Sequence, residues 1–176
     1  PALVASRAIE PARPQKVQEI ECGKTLRLYT GNSEVNRVLG GGVVPGSLIL
    51  LGGEPGIGKS TLSLQLALTN NGMTTLYVSG EESAEQIRLR AERIGIANEE
   101  CVVYTETLLE NIVNQIDALH PDVVIIDSIQ TMYLDRINCA PGSVSQVREG
   151  AMCFINKAKS EGISMILVGH VNKEGG

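Results

Sequence analysis

Residues 53–60 read Gly53-Glu54-Pro55-Gly56-Ile57-Gly58-Lys59-Ser60, a complete match to the pattern G-x-x-x-x-G-K-[ST]. The apolar run Leu48-Ile49-Leu50-Leu51 precedes it, and residues 61–68 follow with the composition of a helix. Strand, glycine-rich loop and helix in this order are the context in which the pattern binds phosphate. Glycines let consecutive backbone N–H groups face an anion, and the helix N-terminus adds partial positive charge. The stretch therefore predicts a nucleotide phosphate site.

Individual residues of this loop have separate predicted roles. Lys59 can reach the β- and γ-phosphates, so we expect it to serve both binding and catalysis. The Ser60 hydroxyl can ligate Mg²⁺. Thr61, the next residue, is predicted to join the eight loop residues in binding nucleotide. The alternative, a glycine-rich turn with an incidental Lys-Ser pair, is disfavoured by the strand and helix on either side.

The rest of the sequence alternates apolar runs with helical patterns. Its 176 residues suit one domain, and a composition of 43% hydrophobic but only 3% aromatic residues requires an aliphatic core. Strands are predicted near 47–52, 74–79, 101–104, 123–126 and 163–168, with helices near 59–69, 83–94, 107–119 and 143–160. This alternation predicts an α/β fold with a mainly parallel β-sheet flanked by helices.

Local signals set the expected boundaries of these elements. Two S/T-x-x-E/Q patterns predict capping boxes, a third is predicted to open a helix, and Ser33 is predicted to cap a short helix before the glycine triplet 40–42. The predicted capping boxes are Ser83 with Gln86 and Thr107 with Glu110, and the helix-opening pattern is Ser143 with Gln146. Residues 1–28 contain Pro1, Pro11 and Pro14 and are predicted to form a linker or arm, with the core at 29–176.

Charge and cysteine content narrow the classes of function. A net charge of −5 gives no overall attraction to nucleic acid, so contact with DNA would need a local basic patch. The four cysteines (Cys22, Cys101, Cys139 and Cys153) form no C-x-x-C pair, which argues against zinc and disulfides and favours a reducing, cytoplasmic compartment. No apolar run approaches the ~20 residues that span a bilayer, so no membrane partner is expected.

Acidic side chains follow two of the predicted strands. Asp127 ends the fourth strand, at the edge where parallel sheets bind ligands, and is predicted to hold Mg²⁺ directly or through water. Its alternative role is to cap a turn. Glu81 and Glu82 end the second strand, and one of them is predicted to polarise the attacking water, worth about 10²–10⁴-fold in rate. Their alternative role is to stabilise the N-terminus of the next helix through their negative charge.

The end of the fifth predicted strand carries a further candidate. His170 could sense the γ-phosphate there, although a local hydrogen bond explains its position equally well. Lys173 follows in the glycine-rich stretch 172–176. Between the fourth strand and the last helix, residues 133–144 contain Pro141-Gly142 and are a candidate functional loop.

Four segments together resemble a known family. They are TGNSEVNRVLGGGVVPGS at 30–47, the loop at 53–60, YVSGEES at 77–83 and GHVNKEG at 169–175. Over residues 17–176 the chain resembles the RadA (Sms) family of bacterial DNA-repair proteins. The segment at 30–47 is shared with the wider RecA, DnaB and KaiC ATPases, whereas the last two segments are more specific.

The resemblance implies a RecA-type P-loop ATPase core that uses ATP or ADP with Mg²⁺. It assigns water activation to Glu81 with Glu82 as its neighbour, γ-phosphate sensing to His170, and adenine contact to Arg88; Lys173 would enter a DNA-binding loop. The implied function is ATP hydrolysis coupled to helicase-like branch migration on single-stranded and branched DNA during homologous recombination. The implied partners are a RecA-type recombinase and further copies of the chain in a hexamer.

Members of that family carry segments that this sequence lacks. They have a four-cysteine zinc ribbon before the core, so zinc is expected only there, and a K-N-R-F-G motif and a Lon-protease-like domain after it. We therefore expect an incomplete core that binds nucleotide but hydrolyses it slowly. Two alternatives remain: a KaiC-like ATPase or phosphotransferase without a DNA substrate, and a module in which nucleotide sets an assembly state.

Overall fold

The computed structural model describes residues 13–20, 27–70 and 72–171, which contain five strands and five helices. The strands are β1 (Leu48–Gly53), β2 (Thr75–Ser79), β3 (Cys101–Thr105), β4 (Val123–Asp127) and β5 (Ser164–His170). The helices are α1 (Ser33–Val38), α2 (Lys59–Thr69), α3 (Ala84–Ile94), α4 (Leu109–Leu119) and α5 (Val144–Glu161). Short 3₁₀ turns lie at Val17–Glu19 and Ile129–Thr131.

All five strands pair in parallel, in the order β1-β5-β4-β2-β3. The prediction of an α/β fold with a parallel sheet flanked by helices is confirmed. The register places Gly53 of β1 beside His170 of β5, and Ser79 of β2 beside Asp127 of β4. The strand ends that carry the predicted site residues therefore meet at one edge of the sheet.

Apolar side chains on the two faces of the sheet form two cores. Tyr77, Ile125 and Ile166 are neighbours in register and face α2 and α3, whereas residues one position further along pack against α4 and α5. Each fully buried aliphatic side chain contributes about 1.5–3 kcal/mol, so covering both faces explains why β2, β4 and β5 are continuously apolar. The strands at the two edges of the sheet are less buried than their apolar sequences predict, since Leu50 of β1 and Val102 and Val103 of β3 are exposed. Asp127 and His170 continue the rows of Ile125 and Ile166, which places them on the α2 face.

Some of the predicted helix N-caps are present in the structure, and others are not. The capping box of Ser83 and Gln86 is present, and Ser143 Oγ accepts the N–H of Gln146. α1 is capped by Asn32, not by Ser33, because the Asn32 side chain accepts the N–H groups of Glu34 and Val35. Asn32 lies one residue before Ser33, and its side-chain carbonyl oxygen reaches the first free amides of the helix.

One of the two predicted capping boxes is wrong. α4 begins at Leu109 without a side-chain cap; instead, the Glu106 carboxylate accepts the N–H groups of Thr107 and Leu108. α5 begins as predicted, with Ser143 as its N-cap, but the Gln146 side chain does not return to Ser143. It is buried and bonds the backbone of residues 134–139, so a tertiary contact replaces the local one.

The predicted arm falls mainly outside the described residues. Residues 13–20 are exposed and contain one 3₁₀ turn, while Leu28 forms an antiparallel bridge with Val43 beside α1. Residues 1–12 and 21–26 lie outside the described ranges, so the division at residue 28 stays a prediction.

Candidate nucleotide site

The loop between β1 and α2 has the backbone shape that an anion requires. Gly56 and Gly58 have φ of 81° and 96°, in the left-handed region, and Gly58 is the N-cap of α2. A Cβ built on either glycine meets nothing within 4 Å, so glycine is needed there for its backbone conformation and leaves the hollow open. Backbone N–H groups of the loop and of the first turn of α2 are therefore available to an anion.

Lys59 places its ammonium group inside this loop. The residue is 6% exposed, and Nζ donates hydrogen bonds to the carbonyl oxygens of Gly53 at 2.7 Å and Glu54 at 2.5 Å. Neutral carbonyl groups hold the charge without neutralising it, so a phosphate oxygen would be a stronger partner. Ile57 is an exposed apolar residue of the loop, and its side chain packs beside Gly53.

A cavity of about 380 Å³ joins the loop to the strand ends. It is lined by Pro55, Gly56, Gly58, Lys59, Ser60, Thr61, Glu81, Arg90 and His170. This volume lies in the range of small-molecule sites. The structure thus brings five of the eight predicted loop residues, and Thr61, together with Glu81 and His170, which are far away in the sequence; Gly53, Glu54 and Ile57 are not part of the lining.

Glu81 is held in place by two side chains. Its Oε1 accepts a hydrogen bond from Ser128 Oγ at 2.7 Å and lies 2.6 Å from Nε2 of His170. Partial burial, the largest influence, raises the pKa of Glu81, but the hydrogen bonds from His170 and Ser128 and the charge of Lys59 outweigh it. The net effect lowers the pKa below its ordinary value, so the carboxylate stays ionised at neutral pH.

Glu82 is turned away from this cavity and forms an ion pair with Arg90. The backbone N–H groups of Glu81 and Glu82 both point to Ser79 Oγ, which fixes the turn after β2. Only the Glu81 side chain of the two lines the cavity with Lys59, whereas Glu82 lines a neighbouring hollow above α3. The geometry therefore favours Glu81 over Glu82 as the residue that contacts water.

Asp127 is fully buried and is not among the residues that line the cavity. Its Oδ2 accepts a hydrogen bond from Tyr77 Oη at 3.0 Å, while Oδ1 has no partner among the described residues. Burial and the adjacent carboxylate raise the pKa of Tyr77 well above its ordinary value, so the phenol remains a donor. A buried carboxylate oxygen without a partner is compatible with a hydrated cation, and contact of Asp127 with Mg²⁺ stays a prediction.

The described residues contain no group of three or more His, Cys, Asp or Glu side chains that could bind a metal without the nucleotide. The three cysteines in that part of the chain (Cys101, Cys139 and Cys153) are free, and burial raises the pKa of the Cys101 thiol to about 11. Mg²⁺ at this site would therefore depend on Ser60, Asp127 and phosphate oxygens.

Arg88 does not line the phosphate cavity. It is exposed on α3, pairs with Glu92 at 3.1 Å, and borders a separate hollow between α2, α3 and β3. The arginine at the cavity is Arg90, which the sequence analysis missed. The helical period was the available signal: Ile87 is the buried position of α3, so Arg90 at i+3 faces inward and Arg88 at i+1 faces outward. Contact of Arg88 with adenine stays a prediction.

Ser128 and Gln130 were also missed, and no spacing rule would have found them. Ser128 bonds Glu81, and the Gln130 side chain bonds the backbone of His170. The candidate loop at 133–144 is held by Gln146, which makes four hydrogen bonds to the backbone of residues 134, 137 and 139. Lys173 and the stretch 172–176 lie outside the described residues.

The family model described as AAA domain matches residues 14–176. Proteins named DNA repair protein RadA from Halalkalibacterium halodurans, Streptococcus pyogenes serotype M1 and Bacillus subtilis are 49%, 54% and 50% identical to the chain. Those alignments cover 93%, 97% and 93% of this chain but 36%, 38% and 36% of the relatives. The chain thus spans less than two fifths of the length of these relatives.

Among solved structures, a KaiC-like protein from Pyrococcus horikoshii OT3 aligns with a TM-score of 0.70. It is 22% identical, and the alignment covers 84% of this chain and 71% of that protein. This likeness shows the RecA-type fold alone. Within the described residues, none of the helices has the length and apolar character that a bilayer crossing requires.

Proposed function

The chain belongs to the AAA domain family, and from this premise we propose that it is the ATP-binding and ATP-hydrolysing core of a DNA-repair ATPase. One observation carries the proposal. The carboxyl edge of the sheet brings the Lys59 ammonium group, the ionised Glu81 and His170 to the wall of one cavity beside an open glycine-rich loop. A site with a cation for phosphate and a carboxylate for water suits phosphoanhydride hydrolysis.

Each group has a defined part in that reaction. The loop amides and Lys59 bind the phosphates, with Thr61 beside them at the first turn of α2. Ser60, and Asp127 through water, would hold Mg²⁺, which neutralises charge on the β- and γ-phosphates when bound. Glu81 accepts a proton from the water that attacks the γ-phosphorus, and ADP departs with the electron pair of the broken P–O bond.

His170 is proposed to report the γ-phosphate. In the structure its Nε2 contacts the same carboxylate oxygen that Ser128 donates to. A γ-phosphate in the cavity offers that imidazole a second acceptor of higher charge. His170 can therefore donate a hydrogen bond either to Glu81 or to the nucleotide. Lys173, three residues later, would couple this exchange of partners to DNA binding.

The wider role rests on the similarity to proteins named DNA repair protein RadA. We propose that the intact protein couples hydrolysis to helicase-like branch migration on single-stranded and branched DNA in homologous recombination. It would act in the cytoplasm as a hexamer with a RecA-type recombinase. The net charge of −5 gives this chain no general attraction to DNA, so contact would come from segments such as 172–176.

The proposal is tested by measuring ATP turnover of the intact protein with and without single-stranded DNA. We expect stimulation by DNA; equal turnover in its presence and absence would favour the KaiC-like alternative without a DNA substrate. A Glu81→Gln protein that binds ATP, hydrolyses none and still supports recombination in full would favour the assembly module.

A further inference from the structure

Gln130 binds the backbone of His170 at two points. Its Nε2 donates to the carbonyl oxygen of His170 at 2.9 Å, and its Oε1 accepts the N–H of His170 at 3.2 Å. The last residue of β4, Asp127, pairs with Val168, so the β4 backbone has left the sheet before it could partner His170. The Gln130 amide therefore takes the place of the missing strand at the end of β5.

The opposite edge of β5 is fixed as well. The N–H of Val171 donates to the carbonyl oxygen of Gly53, the residue at which β1 enters the phosphate loop. The backbone of His170 and Val171 is thus held between the loop and Gln130. Its orientation sets where the imidazole of His170 points.

These contacts belong to a hydrogen-bond network that includes Glu81. Oε1 of Glu81 contacts His170 Nε2 and Ser128 Oγ, and Ser128 lies two residues before Gln130. Thr131 Oγ1 donates to the carbonyl oxygen of Ser128 at 2.8 Å, which stiffens the 3₁₀ turn. The same turn packs on Gly80, where an added Cβ would overlap the Thr131 side chain. One short segment therefore holds Glu81 directly through Ser128 and indirectly through Gln130 and His170.

We propose that Gln130 is a positioning residue for Glu81, which acts by fixing the backbone of His170 and hence its imidazole against the carboxylate. It also ties the segment that follows β4 to the end of β5, so a shift of His170 at the nucleotide moves both segments together. The proposal rests on the proposed function, because it describes how the water-activating carboxylate is held.

The side-chain amide is suited to this role because it both donates and accepts. A glutamate at position 130 keeps the acceptor for the His170 N–H but sets a negative oxygen against the His170 carbonyl group. An alanine removes both contacts. Gln130→Glu is therefore a nearly isosteric test of one hydrogen bond, and Gln130→Ala removes the pair.

Gln115 provides the matched control, because it is an exposed glutamine on α4. For Gln130→Glu, Gln130→Ala, Gln115→Glu and Gln115→Ala we would measure Mg²⁺-ATP affinity by calorimetry and single-turnover hydrolysis. Both Gln130 variants should hydrolyse ATP roughly 10- to 100-fold more slowly, because a small misplacement of a reacting group lowers the rate by about that factor. Their affinity should stay within about twofold, and the Gln115 variants should match the parent protein.

A comparison of single and double variants distinguishes a positioning role of Gln130 from a general effect on folding. If Gln130 acts through His170, Gln130→Glu should change the rate by less than about twofold in a His170→Ala background. Full additivity of the two losses would overturn the proposal. Unchanged hydrolysis in both single Gln130 variants would overturn it as well.

A spectroscopic readout keeps the test independent of turnover. The chain has two histidines, His120 and His170, so their ring resonances can be assigned by substitution. Both Gln130 variants should shift the ring resonances of His170 and leave those of His120 unchanged, and Gln130→Ala, which removes the acceptor, should speed exchange of the His170 amide proton. Unaltered His170 signals would overturn the proposal, whereas failure of the parent chain to bind Mg²⁺-ATP would count against the proposed function instead.

Discussion

Tyr77 Oη donates a hydrogen bond to Asp127 Oδ2 across 3.0 Å, and neither residue is exposed to solvent. The pair joins the middle of β2 to the end of β4. A buried carboxylate needs hydrogen-bond donors, and the phenol supplies one while Oδ1 stays free for a hydrated cation. Tyr77 therefore supports the predicted Mg²⁺ residue without occupying the oxygen that would face the metal.

Removing that phenol should destabilise the fold. Tyr77→Phe leaves the Asp127 carboxylate without its buried donor, which should lower the free energy of unfolding by about 1–3 kcal/mol in a denaturant titration. Tyr104→Phe is the control, because Tyr104 makes only a 3.4 Å contact with Glu106 near the surface. Equal stability of Tyr77→Phe and the parent chain would show that the hydrogen bond contributes nothing.

The lowered pKa of Glu81 predicts how hydrolysis depends on pH. A carboxylate whose pKa is depressed stays ionised as the pH falls, so activity should persist to lower pH than an ordinary glutamate allows and be lost as the pH falls through the folded pKa. Ser128→Ala removes one of the hydrogen bonds that lower the pKa. The acid limb of the pH–rate profile should therefore move to higher pH, and an unchanged limb would exclude Ser128 from this role.

Lys59 should dominate the affinity for phosphate. Lys59→Ala removes a charge-assisted hydrogen bond of about 1.5–3 kcal/mol, so the Kd for Mg²⁺-ATP should rise roughly 10- to 100-fold in calorimetry. Lys159→Ala, on the exposed end of α5, is the control for loss of one positive charge. Equal affinity of the two variants would contradict the placement of the nucleotide at the loop.

Gly80 should tolerate no side chain. An added Cβ would overlap the Thr131 side chain and lie 3.0 Å from Thr107 Cγ2, so Gly80→Ala should cost about 1–3 kcal/mol of stability through overpacking. A second substitution, Thr131→Ala, should recover part of that loss in the double variant. Simple additivity of the two costs in thermal or denaturant unfolding would argue against direct contact.

The sequence predicted the sheet and the phosphate loop well, because both depend on local chemistry. Continuous apolar runs mark the strands, of which β2, β4 and β5 are buried on both faces, and the glycine positions of the loop follow from backbone conformation at Gly56 and Gly58. It could also place Glu81, Asp127 and His170 at one edge, since parallel strands end on the same side.

Long-range contacts explain what the sequence did not predict. Ser128 and Gln130 bond residues 47 and 40 positions away, and the buried Gln146 side chain holds the backbone of a loop that ends seven residues before it. No local pattern encodes such partners, because several backbone groups compete for the same side chain. Arg90 differs, since the helical period from Ile87 already pointed it inward.

Comparison of Glu81→Gln with Glu82→Gln tests the central claim most directly. Single-turnover hydrolysis and Kd for Mg²⁺-ATP would be measured for both variants. We predict that Glu81→Gln keeps its affinity within a few-fold and loses about 10²–10⁴-fold in rate, while Glu82→Gln, whose residue pairs with Arg90, hydrolyses ATP nearly as the parent does. Normal hydrolysis by Glu81→Gln, or the reverse order of the two variants, would contradict the assignment of Glu81 as the residue that activates water.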